Sequence, residues 1–138
     1  MKKVVLITGA SSGIGKSTAK QLLKEGHTVY GAARRVEKMT DLKNEGAHII
    51  ALDVADDSSM VAAVNQIINE QGGIDVLVNN AGYGSYGAIE DVEISEAKRQ
   101  FEVNIFGLAR LTQLVLPYMR KNRSGKIINI SSKRVRSF

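Results

Sequence analysis

The sequence predicts a single doubly wound parallel α/β sheet with strand order 3-2-1-4-5. Two patterns carry that prediction. Short apolar runs alternate with helical stretches in the order βαβαβαβαβ, the arrangement of a parallel sheet with crossover helices. The runs are also continuous rather than alternating, as in Val4-Val5-Leu6-Ile7, so both faces of the sheet are expected to be covered. Size agrees, because 138 residues with 43% hydrophobic and 24% charged residues suit one globular domain with its own core.

Val4 to Ile7 reads as the first strand, closed by Thr8-Gly9. From about Gly13 to Glu25 the apolar positions Ile14, Ala19, Leu22 and Leu23 predict a helix, with Gly26 as its stop. Thr28 to Ala32 is the second strand, Val36 to Glu45 a short polar helix ended by Gly46, and His48 to Leu52 the third strand. Asp56 or Asp57 can cap a helix running to about Gln71, with Met60, Val61, Val64, Ile67 and Ile68 on one face and Gly72-Gly73 after it. Ile74 to Val78 is the fourth strand. Ser95 reads as the N-cap of a long helix to about Lys121, striped by Phe101, Ile105, Leu108, Leu111 and Val115. Pro117 is expected to bend or tighten its last turns. Lys126 to Ile130 is the fifth strand, and neither a repeat nor a linker interrupts the series.

Composition removes several classes of function. The chain has no Cys, which excludes disulfide frameworks, thiolate zinc sites and cysteine nucleophiles. Its two His, His27 and His48, read as polar residues at strand ends, so no metal site and no Ser-His-Asp triad is expected. No apolar run approaches the roughly 20 residues of a membrane helix. Behind Met1-Lys2-Lys3 the apolar run is only Val4 to Ile7, too short for a secretory signal, so the expectation is a soluble cytoplasmic protein. The net charge of +5 is unevenly placed. Seven basic and no acidic residues fall in 120–138, leaving twelve basic against fourteen acidic before them. With Phe138 as the only aromatic in that end, a solvated basic tail is preferred over a nucleic-acid surface.

Thr8-Gly9-Ala10-Ser11-Ser12-Gly13-Ile14-Gly15 lies between the first strand and the first helix. Small residues there allow a tight turn, a close approach to a pyrophosphate and close helix–strand packing, with the helix N-terminus facing the anion. A rival reading overlaps it. Ala10 to Ser17 approximates the P-loop pattern, with Lys16 for phosphates, Ser17 for magnesium and Asp53 ending an apolar strand as a metal acid. Three further features have no place in that rival: Asn79-Asn80-Ala81-Gly82 after the fourth strand, Asn104 within the long helix with Gly107 three residues on, and Ile130-Ser131-Ser132 ending the fifth strand.

Taken together these motifs resemble the short-chain dehydrogenase/reductase family over residues 1–132, with TGxxxGxG at Thr8–Gly15, Asp53, NNAG at Asn79–Gly82, Asn104 and ISS at Ile130–Ser132 in order. The resemblance implies a Rossmann-type dinucleotide-binding domain over 1–132, with 133–138 as a basic atypical tail. It implies that Gly9, Ser11, Ser12, Gly13, Ile14 and Gly15 line the pyrophosphate and adenosine ribose. Asp53 and Val54 would meet the adenine edge, and Asn80, Ala81 and Gly82 would sit under the nicotinamide ribose. Asn79 would tie the fourth strand to its neighbours.

Asn104 and Ser132 match the family's proton-relay Asn and substrate-orienting Ser, with Ser131 the less favoured neighbour. Where an NAD enzyme places an acid for the ribose 2′-OH, this chain has Ala33, followed by Arg34 and Arg35. On their own those arginines read equally as the solvated start of a polar helix. With the acid missing, NADP(H) is predicted over NAD(H), since guanidinium binds phosphate bidentately.

The implied reaction is carbonyl/alcohol interconversion by hydride transfer on a small-molecule substrate. The family's Tyr-x-x-x-Lys is not found here, because none of Tyr30, Tyr83, Tyr86 and Tyr118 has Lys four residues on, and six residues follow Ser132. The chain is therefore expected to be catalytically incomplete. One codon choice for Lys133–Phe138 reads Ala-Gly-Lys-Ile-Ile in a shifted frame, which gives the expectation of a frame slip in a longer ancestor. Gly84 and Gly87 around Tyr86 are expected to form a loop on the substrate side. An uncovered fifth strand and long helix predict a homo-oligomer. A non-catalytic dinucleotide-binding or oligomer-modulating protein and a P-loop NTPase stand as alternatives.

Overall fold

The computed structural model describes residues 2–81 and 93–131, with Ala81 and Ser131 described by their backbone only. Five strands, β1 (Val4–Thr8), β2 (Thr28–Ala33), β3 (His48–Ala51), β4 (Val76–Ala81) and β5 (Lys126–Ser131), form one sheet in the order β3-β2-β1-β4-β5. Every neighbouring pair is parallel. Helices α1 (Gly13–Lys24), α2 (Thr40–Asn44), α3 (Asp57–Gln71) and α4 (Ile94–Lys121) are the crossovers.

Because successive strand residues face opposite ways, β1 feeds two cores. Leu6 joins Tyr30, Ile50 and Leu77 under Val64 and Ile67 of α3 and Leu111 and Val115 of α4. Val5 and Ile7 join Val29 and Val78 under Ala19 of α1, Leu42 of α2 and Met39 just before it. Burial on both sides is the physical reason that these strands are apolar throughout.

Local chemistry sets the ends. Asp56 caps α3, accepting from the Ser58 and Ser59 amides at 3.0 and 3.4 Å and from the Ser58 hydroxyl at 2.7 Å. These bonds hold its carboxyl below its ordinary value, the Ser58 hydroxyl contributing most. Gly72, at φ 82°, closes the helix in the left-handed conformation. Tyr30 is fully buried, and its hydroxyl donates to Glu70 Oε1 at 2.6 Å and accepts from Gln71 Nε2 at 3.1 Å. Its ring stacks on His48 at 4.5 Å. His27 accepts the Lys3 amide on Nδ1 at 3.1 Å.

Several boundaries differ from the sequence expectation. β4 begins at Val76 and runs through Asn79, Asn80 and Ala81, which pair with Asn129, Ile130 and Ser131 of β5. The helix expected over Val36–Glu45 is split into a 3-10 turn at Val36–Met39 and the five residues of α2. Ser95 is not the cap of α4, because Glu93 holds that position and Ser95 lies in the first turn. Pro117 is inside α4, which continues to Lys121. The predicted stripe of α4 is buried only from Leu108 onward. Phe101 and Ile105 are exposed, as are Ile94 at 84% and Phe106 at 73%.

Candidate functional site

The chain leaves β1 toward β2 and β3, then returns to place β4 on the other side of β1. The connections from the carboxyl ends of β1 and β4 therefore run in opposite directions, the switch point where doubly wound sheets take ligands. The first loop forms its floor. Gly9 and Gly13 sit at φ 63° and 58°, a region that favours glycine. The Ala10 amide donates to the Ala32 carbonyl at 3.1 Å, pinning the loop to β2. Ser12 precedes α1 in extended conformation, makes no side-chain cap, and no acid lies in the first turn of α1. The helix thus presents amide donors with a positive dipole end and no internal anion.

Asn80 stitches this loop to β4. Its amide donates to Thr8 Oγ1 at 2.9 Å, and its Nδ2 donates to the Gly9 carbonyl at 3.3 Å. The Thr8 hydroxyl donates to the Val78 carbonyl at 3.4 Å. Gly15 packs so tightly on this seam that a Cβ there would stand 2.7 Å from Asn80 Nδ2 and closer still to the Gly9 carbonyl oxygen. Among the described residues, Asn80 Oδ1 and Asn79 Oδ1 are buried acceptors with no hydrogen-bond partner. Asn79 Nδ2 donates to Thr112 Oγ1 at 3.0 Å and Asn129 Oδ1 at 3.1 Å, joining β4 to α4 and β5.

The other predicted residues reach the same edge of the sheet. Arg34 and Arg35 are exposed at the end of β2, where Ala33 pairs with Ala51. Among the described residues neither forms an ion pair. Asp53 and Val54 follow β3. The Asp53 carboxylate accepts the Ala55 amide at 2.9 Å and the Asp53 amide donates to Ser59 Oγ at 2.9 Å, so this loop holds its own shape. Asn104 is half-buried on α4, one turn before Gly107. Gly107 is buried against the Val54 loop, where a Cβ would stand 2.7 Å from Val54 Cβ. Arg110 adds an ion pair to Asp57 at 2.6 Å, and its guanidinium holds that carboxyl below the ordinary range. Ala81 ends β4 beside Ser131. Gly82, Ser132, the Gly84–Gly87 loop and the 133–138 tail lie outside the described residues.

The P-loop alternative loses its two key groups. The Lys16 ammonium does not turn into the loop. It donates to the Lys38 carbonyl at 3.2 Å and pairs with Asp41 at 3.1 Å. Asp53 is engaged with its own turn. Sequence reasoning did not find the Lys16 contacts with α2 or the seat of Gly107 on Val54. Both are long-range pairings with no periodic signature.

Strand order, crossover helices and the glycine seat define a Rossmann-type doubly wound fold. Residues 3–136 match the family model described as short chain dehydrogenase, and the chain belongs to that family. It is 49% identical over 131 residues to a 3-ketodihydrosphingosine reductase of Bacteroides thetaiotaomicron, covering 94% of this chain and 47% of that protein. A short-chain dehydrogenase from Streptomyces avermitilis has a similar structure, with TM-score 0.83 and 43% identity, covering 95% of this chain and 49% of that one. A metagenomic short-chain oxidoreductase in complex with NADP gives TM-score 0.80 and 32% identity, covering 98% and 64%. The chain spans about half the length of the curated relatives it matches.

Proposed function

We propose that this chain forms the cofactor-binding half of an NADP(H)-dependent oxidoreductase acting between a carbonyl and an alcohol. The observation that carries the reading is the seam of Gly9, Gly15 and Asn80. It leaves no room for a side chain, has no acid in the first turn of α1 to occupy its amides, and leaves the Asn80 Oδ1 acceptor without a partner among the described residues. In this reading Gly9, Ser11, Ser12, Gly13, Ile14 and Gly15 receive the pyrophosphate and adenosine ribose. Asp53 and Val54 border the adenine, and Asn80, Ala81 and Gly82 border the nicotinamide ribose. Arg34 and Arg35 take the 2′-phosphate that Ala33 leaves unopposed.

When bound, the nicotinamide supplies or accepts the hydride. Asn104 holds a water of the proton relay and Ser132 orients the substrate oxygen. None of Tyr30, Tyr83, Tyr86 and Tyr118 has Lys four residues on, so the family's Tyr-x-x-x-Lys pair is not among these 138 residues. The NADP complex of the metagenomic relative and the reductase name of the Bacteroides relative support this direction. The exposed N-terminal half of α4, with β5 the outermost of the described strands, favours a homo-oligomer. A cytoplasmic location belongs to this proposed reading; no described helix is long and apolar enough to cross a membrane.

Titration of the chain with NADPH, NADH and Mg-ATP by nucleotide fluorescence tests the proposal. NADPH is expected to bind most tightly, and Arg34→Ala to weaken NADPH more than NADH. Equal binding of the two dinucleotides refutes the arginine assignment. Binding of Mg-ATP alone refutes the dinucleotide site.

A further inference from the structure

We propose that Lys16 is a positioning residue for cofactor selectivity, clamping the turn that carries Arg34 and Arg35 to helix α1. The inference rests on the NADP(H) reading above and adds to it what holds the two arginines in place.

Arg34 and Arg35 are exposed side chains on a turn. A guanidinium selects a phosphate only if its backbone is held, because an unfixed side chain loses on ordering what it gains on contact. Three features hold this backbone. The Lys38 amide donates to the Arg35 carbonyl at 3.3 Å, closing the 3-10 turn. The Lys38 carbonyl accepts the Lys16 ammonium at 3.2 Å, so two hydrogen bonds in series join α1 to the arginine turn. Lys16 also pairs with Asp41 at 3.1 Å, and Lys20, one helical turn along, reaches the same carboxylate at 3.3 Å. Beneath the turn Met39 and Leu42 are fully buried. Their floor is closed at Gly31, where a Cβ would stand 3.2 Å from Ala10, 3.4 Å from Leu42 and 3.5 Å from Met39. Lys16 follows Gly15 directly. One residue therefore links the pyrophosphate end of the crevice to the arginine end.

A lysine on the surface can act differently, by adding positive potential near a phosphate. The two modes differ in sign at the partner. If Lys16 acts through space, removing the Asp41 charge raises affinity for NADPH. If Lys16 acts as a clamp, removing the Asp41 charge lowers it, because the clamp loses its anchor.

The experiment measures Kd for NADPH and NADH by nucleotide fluorescence in the wild-type chain, Lys16→Met and Asp41→Asn. Methionine keeps the apolar stem of Lys16, and both positions are partly solvated, so the fold is expected to persist. Each variant should reduce the NADPH-over-NADH ratio about threefold, the scale of a partly exposed ion pair, with NADH affinity unchanged. Lys16→Met should add nothing in an Arg34→Ala/Arg35→Ala background. A retained ratio in Lys16→Met, an equal loss for both dinucleotides, or a gain of NADPH affinity in Asp41→Asn overturns the clamp. A wild-type chain that does not prefer NADPH overturns the NADP(H) reading itself, and with it any selectivity for Lys16 to secure.

Discussion

Gly107→Ala sets two effects of opposite sign against each other. In an open helix the change is favourable by about 1 kcal/mol, because alanine loses less backbone entropy than glycine. At Gly107 the helix is not open. A Cβ would stand 2.7 Å from Val54 Cβ and 2.8 Å from the Val54 carbonyl carbon. Ordinary carbon contacts are about 3.5–4.0 Å, so α4 or the Val54 loop must give way by roughly 1 Å. Neither moves freely. Arg110 ties α4 to Asp57 at 2.6 Å, and the Asp53 amide is bonded to Ser59 at 2.9 Å. Forced insertion into such a contact costs about 1–3 kcal/mol, which matches or outweighs the propensity gain. The net expectation is a loss of up to about 2 kcal/mol. Urea unfolding with m near 2 kcal/mol/M would show a midpoint lowered by up to roughly 1 M at unchanged m. A Gly107→Ala chain more stable than the wild type would show that α4 does not rest on the Val54 loop, and the reasoning would fall.

Two other changes follow from the fold. Asp56→Ala removes the acceptor of the Ser58 and Ser59 amides and should speed hydrogen exchange at both. Because those bonds hold the Asp56 carboxyl below its ordinary value, its stabilising effect is present above the unfolded carboxylate range and lost as pH falls through the folded value. In urea midpoints measured from neutral pH downward, Asp56→Asn should flatten that acid dependence, and an unchanged profile would contradict the cap. Tyr30→Phe deletes the hydroxyl bonded to Glu70 and Gln71 but keeps the ring on His48, so a loss of about 0.5–1.5 kcal/mol is expected. Burial, with the Glu70 hydrogen bond second, raises the Tyr30 pKa. Its stabilising effect is therefore intact below about pH 10 and declines above it, and alkaline ultraviolet titration compared with Tyr30→Phe should show Tyr30 ionising late.

The strand order and the placement of the site were legible because each rests on a local signal. Continuous apolar runs mark strands buried on both faces, and small residues after β1 mark a backbone that something must approach. The misplaced limits have equally local causes. β4 was expected to stop at Val78 because polar residues follow, yet Asn79 stays in the ladder with its amide paired to Thr112 and Asn129. Ser95 has the chemistry of a cap, but the helix begins at Ile94. Phe101 and Ile105 keep the helical period of the core without facing it, since the period reports a face and not what covers it. The clamp of Lys16 and the seat of Gly107 join residues far apart in the chain. Sequence patterns do not record such pairs when each residue taken alone looks ordinary.

The central position of β1 also has a consequence in time. Val5 pairs with Val29 on one side and with Val76 on the other. Asp75 Oδ2 accepts the Val4 amide at 2.8 Å and so starts the second ladder. On a ribosome adding about 5–20 residues per second, the strand at the middle of the sheet waits roughly 4–14 s for that partner. During this interval β1 and β2 can pair, but one edge of β1 stays open with its apolar side chains uncovered. The nascent chain is thus most prone to mispairing before β4 arrives. Pausing after β4 should favour correct assembly, and pausing between β2 and β4 should favour aggregation.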